Sequence, residues 1–193
     1  ADIALSHRFQ RNWKSRLKRL GLQSAADLHV LADGASWIWN SVTSTLPGSH
    51  QTLDIYHAAE HIAAAGKSLY GDSSPAATAF FDRGRSLLIA EGWTGVCRLI
   101  GEEYAREDTP QRRAILEKLT RYFLKHMTRL RYSANLAAGK AIGSGVVEGA
   151  AKTLGLRLKA RGARWKHKNA RAWAALVCVR HGDGWMKFWN KAG

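Results

Sequence analysis

Acidic residues are scarce in this chain. Only 15 Asp plus Glu stand against 30 Lys plus Arg in 193 residues, giving a net charge of +15 and a pI near 10.3. That balance argues against acidic substrates and points to a polyanion as partner. Cysteine is scarcer still. Cys97 and Cys178 stand alone with no Cys-x-x-Cys pairing, which excludes a disulfide framework and suits reduced thiols in a cytosolic setting. Both lie in apolar sequence, where Cys is expected to act as a small hydrophobe rather than a nucleophile. No run approaches the roughly 20 apolar residues of a spanning helix. The polar, charged N-terminus is not a secretory leader, so the expected location is cytoplasmic. Internal repeats and low-complexity tracts are also missing, and the length allows one good core, or one core plus a small insertion.

The basic residues that are present come in blocks. Arg8, Arg11, Lys14, Arg16, Lys18 and Arg19 have no acid among them and predict a cationic helix ending at Gly21. From Lys152 to Lys191 every charged residue except Asp183 is basic. Solvation alone does not require such a run, whereas a phosphate backbone does. A membrane surface also attracts such a helix, but no spanning segment accompanies it.

Turn signals divide the rest. Leu28 to Ala32 is a short apolar run ending in Asp33-Gly34, which predicts a buried strand and a tight turn. Trp37, Ile38, Val42 and Leu46 recur at helical spacing until Pro47-Gly48. His50 to Ile55 predicts a second strand, and Tyr56 to about Tyr70 a second helix. Strand, helix, strand, helix implies a parallel pair joined by a right-handed crossover. From Gly71 to about Gly139 helical segments are separated by Ser73-Ser74-Pro75, Gly92 and Asp108-Thr109-Pro110, which predicts an all-helical insertion. A Trp-rich helical tail with Trp173, Trp185 and Trp189 closes the chain.

Between Gly143 and Trp165, Ser144 offers an N-cap and Gly162 a C′ residue. Val147, Ala151, Leu154 and Leu158 form an apolar seam there. Glu148, Lys152, Gly155 and Lys159 fall within about 40° of one another on a neighbouring face. Taken alone, Glu148 and Lys152 are an i,i+4 pair worth roughly 0.2 to 0.5 kcal/mol. Amid so many cations, a carboxylate on that face is also a candidate ligand for a metal.

Asp33 closes a parallel strand at its carboxyl end, where open α/β sheets place ligand sites. An Asp-Gly turn capping the following helix is the structural alternative. Hard cations such as Mg²⁺ need carboxylate oxygens from separate elements, and Asp33 and Glu148 are placed to supply them. Within HAAEH, His57 and His61 flank Glu60 in the H-x-x-E-H order of inverted zinc peptidases. Satisfied helix histidines explain the same spacing, and peptide hydrolysis leaves the basic tail unexplained.

The runs LADGASWIWN, LDIYHAAEHI, IGSGVVEGAAK and RLKARGARW together resemble the catalytic domain of DDE transposases of bacterial insertion sequences, of the Kra-type group related to the Mutator-like superfamily. The resemblance runs from about Gly21 to Trp165 and continues weakly to Trp189. It implies an α/β, ribonuclease-H-like core with an all-helical insertion: a basic helix and partial core over 1–70, the insertion over 71–140, and the Glu148 helix with its basic tail over 141–193. It further implies that Asp33 is the second acid of a catalytic triad and Glu148 the third. Asp54 and His57 match the Asp-x-x-His signature downstream of the second acid. The first acid of such a triad lies on an upstream hairpin strand. Neither Asp2 nor Asp27 ends an apolar strand, and promoting Asp33 to first acid with Asp54 as second conflicts with the helix that follows Asp33. The chain is therefore expected to be the C-terminal part of a transposase. The implied chemistry is two-metal phosphoryl transfer with Mg²⁺ or Mn²⁺. Lys152, Arg157, Lys159, Arg161 and Arg164 would hold DNA phosphates, and Trp165 would stack on a splayed base or pack as a structural tryptophan. A homodimer on DNA, associated with the nucleoid, follows from the same resemblance. A noncatalytic DNA-binding remnant is the alternative from a different functional class.

Overall fold

The computed structural model describes residues 6–106, 109–181 and 185–190. Helix accounts for 73% of the structure, with one short parallel strand pair, which places the chain in a broad α/β class. It divides into two compact units, a core unit over Gly21–Ser144 and a terminal unit formed by Ala1–Leu20 with Gly145–Gly193.

In the core unit, β1 (His29–Ala32) is followed by α2 (Ser36–Thr45), β2 (His50–Leu53) and α3 (Ile55–Tyr70), after a helix α1 (Ser6–Arg19) that belongs to the terminal unit. β1 and β2 pair in parallel, from His29 opposite His50 to Ala32 opposite Leu53. The strand, helix, strand, helix order expected from the sequence is present. α4 (Pro75–Glu91), α5 (Trp93–Arg106), α6 (Pro110–His126) and the short α7 (Tyr132–Ala137) complete the unit, with no strand among the described residues of 71–139. Ser74 and Thr109 cap α4 and α6 by accepting from the amides of Ala77 and Arg112, and a proline opens each helix. This is the favoured N-terminal chemistry.

Leu53, Ala58, Ile62, Leu88, Leu116, Phe123 and Tyr132 are fully buried and form the centre of the core. α3, α5 and α6 are also joined by a buried charge. Glu103, 2% exposed, accepts from Arg112 Nη2 at 2.8 Å and from the Tyr70 hydroxyl, while the Arg112 guanidinium lies 5.2 Å from the Tyr70 ring centroid. A carboxylate is stable there only because its lone pairs are matched.

The terminal unit contains α1, α8 (Gly145–Leu158), α9 (His167–His181) and α10 (Trp185–Trp189). Three sequence expectations change. α8 stops at Leu158, short of Gly162, which lies in the following turn with φ +80°. The expected seam is buried only in part: Leu154 and Leu158 are half-buried, while Ala151 and Val147, the latter 69% exposed, face solvent. Cys97 and Cys178 are exposed, because each lies on the outer face of its helix, α5 or α9.

Candidate functional site

Because Ala32 and Leu53 are register partners, the next residues, Asp33 and Asp54, leave the two strands side by side at their carboxyl ends. The Asp54 amide donates to Ala32 O at 2.8 Å, continuing the ladder. The two carboxylates then part in role. Asp54 is 3% exposed. Its Oδ1 accepts from the amides of Tyr56 and His57 at 2.8 and 3.3 Å, capping α3, and its Oδ2 accepts from the Ser144 amide at 2.7 Å. Both oxygens are thus occupied by backbone donors. A strap over 142–144 lies against the start of α3: the Ile55 amide donates to Ile142 O at 2.9 Å, and a Cβ at Gly143 would stand 2.7 Å from the Tyr56 ring. Only glycine admits that approach. The strap ends at Ser144, four residues before Glu148 in the chain.

Asp33 is half-buried, and its Oδ1 accepts from the Ala35 amide at 2.8 Å in an Asx turn. Its Oδ2 has no hydrogen-bond partner among the described residues. Beside it, Gly34 is closely approached by α6: a Cβ there would lie 2.8 Å from the Tyr122 hydroxyl and 3.4 Å from His126 Nε2. The Tyr122 ring stacks on His61 with centroids 3.5 Å apart and lies 5.1 Å from the His126 ring. His126 is fully buried, yet neither ring nitrogen has a partner, and the hydroxyls of Tyr122 and Tyr132 are buried and unpartnered too. Burial, then the Arg129 and Lys125 cations, pull His126 down to about 4 and keep it neutral. Burial, followed by the Asp33, Glu60 and Asp54 carboxylates, pushes the Tyr122 phenol above its ordinary value. Burial also lowers His61, with His57 adding to the effect.

Tyr122 and His126 were missed by the motif reading. One signal was present: Leu116, Leu119, Phe123 and His126 are the buried residues of α6, so the histidine continues an apolar seam where a polar residue is out of place.

The zinc pattern gains no support from the geometry. His57 Nδ1 stands 3.5 Å from Glu60 Oε2, the His57 and His61 rings are 6.2 Å apart, and His61 is engaged by Tyr122. Among the described residues no group of three or more His, Cys, Asp or Glu could share an ion, whereas a catalytic zinc takes three protein ligands.

Asp33 and Glu148 fall in different units. Glu148 is exposed in the first turn of α8, where the helix dipole favours a carboxylate. Lys152 and Lys159 of the same region, and Arg161 and Arg164 after it, are exposed; the side chain of Arg157 lies outside the described residues. Trp165 is half-buried and packs against Trp173 with ring centroids 6.1 Å apart, the contact expected of a structural tryptophan. No described helix is long and apolar enough to cross a membrane. No family model, curated protein or solved structure matches the chain.

Proposed function

We propose that the chain is the C-terminal catalytic part of a DNA transposase with a ribonuclease-H-like core, in which α4 to α7 form the helical insertion. One observation carries the reading: Asp33 leaves the carboxyl end of a parallel strand with one carboxylate oxygen uncommitted, beside a register partner, Asp54, that straps down the segment leading to Glu148. Asp33 and Glu148 would hold Mg²⁺ or Mn²⁺, which when bound would supply the charge stabilisation of an in-line displacement at phosphorus. Asp54 does not compete for the metal, because both its oxygens accept backbone N–H groups; it positions the strap and caps α3, and His57 supplies one of the capping amides. The exposed Lys152, Lys159, Arg161 and Arg164 would hold backbone phosphates and orient the DNA without reading its sequence.

The experiment uses the full-length transposase. Asp33→Asn and Glu148→Gln are each expected to abolish strand joining on DNA ends while leaving DNA binding nearly intact. Joining retained by either variant overturns its metal-ligand role. Binding itself should weaken steeply between low and physiological salt as counterions are released, and a flat response would remove DNA as the partner. The second reading, a noncatalytic DNA-binding remnant, is favoured by the full occupation of Asp54, which leaves the core unit one uncommitted strand-end carboxylate. It predicts salt-sensitive binding with no joining by the unaltered protein.

A further inference from the structure

The polar atoms beneath the Asp33-Gly34 turn have no partner in the fold and stand where a ligand of Asp33 would be. We propose that the Tyr122 hydroxyl and the His126 imidazole form a hydrogen-bonding wall for the water shell of a divalent cation held at Asp33. The proposal rests on the reading of Asp33 as a metal ligand given above, and it assigns two residues to that site which no motif contains.

Geometry is the first support. The Tyr122 oxygen and His126 Nε2 both face Gly34, closely enough that a Cβ there would lie 2.8 and 3.4 Å from them. The phenol is held in this direction by its stack on His61, so it arrives already oriented and loses little rotamer freedom when a partner binds.

The second support is the contrast with the other buried polar groups of the core unit. Thr52, Asn135, Asp54 and Glu103 all have partners. Only around Tyr122, His126 and Tyr132 and at Trp39 Nε1 and Arg112 Nε are buried core-unit polar atoms left without one. Such a cluster beside a strand-end carboxylate marks a place where the fold has been held for a ligand rather than for itself.

Charge selects the ligand. The carboxylates of Asp33, Asp54 and Glu60 all act on the Tyr122 ring, and this negative field repels a phosphate oxygen and attracts a cation. Mg²⁺ and Mn²⁺ are hard cations, and Mg²⁺ keeps several of its waters when protein-bound. Those waters need acceptors, and a neutral imidazole nitrogen and a phenolic oxygen each offer a lone pair without adding positive charge. Outer partners of this kind orient the inner ligands and tune affinity.

The test uses the full chain, free of DNA, with its histidines isotopically labelled, and Mn²⁺ as the probe. Paramagnetic broadening is expected to reach the His126 ring at Mn²⁺ concentrations that leave His29 and His50, at the other end of the strands, sharp. By calorimetry, Tyr122→Phe should weaken Mn²⁺ binding about tenfold or more, while the melting temperature of the metal-free variant stays the same or rises because a buried unpaired oxygen has been removed. A purely structural hydroxyl would move stability and leave Mn²⁺ affinity alone. His126→Leu provides the second variant, with the same pair of readouts expected. Unchanged affinity in Tyr122→Phe and His126→Leu, or broadening of His126 by inorganic phosphate without metal, overturns the proposal. Asp33→Asn separates the two levels: if it abolishes Mn²⁺ binding while Tyr122→Phe does not weaken it, the wall fails and the ligand reading stands. If Asp33→Asn binds Mn²⁺ like the unaltered protein, the ligand reading fails first and takes the wall with it.

Discussion

At the amino end of the strand pair, Thr52 Oγ1 accepts from Asn135 Nδ2 at 2.8 Å and has its own proton to give to His29 Nε2, also 2.8 Å away, while Asn135 Oδ1 lies 2.7 Å from His50 Nε2. At the carboxyl end, four residues along each strand, the buried atoms of Tyr122, His126 and Tyr132 have no such partners. The same core therefore satisfies its polar groups at one end and leaves them open at the other. Each unsatisfied group costs roughly 1 to 3 kcal/mol, so the open end is retained for some purpose other than stability. Asp54 marks the boundary, a carboxylate at the open end that is nonetheless fully used.

The largest effect that would sharpen this comparison is at Asp54. Asp54→Ala removes a helix cap and a charge-assisted bond to the Ser144 amide, and an expected loss of about 3 to 5 kcal/mol follows from adding the two. Urea unfolding measures it. A loss near zero would mean that the strap is held by Gly143 packing instead, and that the carboxyl end contains no saturated group at all. The next effect is set by pH. His126 lies at about 4 in the fold against an ordinary value of 6.5. Above pH 7 it is neutral in both states and contributes nothing. Below 6.5 the unfolded chain takes the proton and the fold does not, so stability falls by about 1.4 kcal/mol per pH unit and levels off near pH 4, a total of roughly 3 kcal/mol. His29 and His61, both lowered chiefly by burial, act in the same direction. Unfolding of His126→Leu across this range should be much flatter. If it is as steep as the unaltered protein, the amino-end His29 carries the dependence and the two ends are less different than the hydrogen bonds suggest.

Most of the architecture was legible because it depends on local chemistry. Pro75 and Pro110 after hydroxyl caps start α4 and α6, and apolar runs ended by Asp-Gly or followed by an Asp cap give the two strands. Asp33 could be placed at a strand end from the same signals. What could not be read is which polar residues meet across helices: Tyr122 and His126 are separated from Asp33 by about ninety residues, and only the packing of α6 against the strand ends brings them to Gly34. The occupation of Asp54 was also hidden, since its third donor, Ser144, is likewise about ninety residues away. Errors came where periodicity was trusted without packing, as in the α8 seam, whose Val147 faces solvent.

The smallest effects provide the most direct comparison of the two ends, because isosteric changes leave packing in place. Thr52→Val at the amino end keeps the volume but leaves His29 Nε2 and Asn135 Nδ2 without their partner, and should destabilise the core unit by about 1 to 3 kcal/mol. Tyr132→Phe at the carboxyl end deletes a hydroxyl that is fully buried and already unpartnered. Nothing is orphaned by its loss, and a desolvation penalty disappears, so stability should stay within about 0.5 kcal/mol of the unaltered protein or rise. Thermal unfolding of the two variants under one buffer decides the matter. Equal destabilisation would show that Tyr132 has a partner when the protein is in water, and the carboxyl end would then be as closed as the amino end.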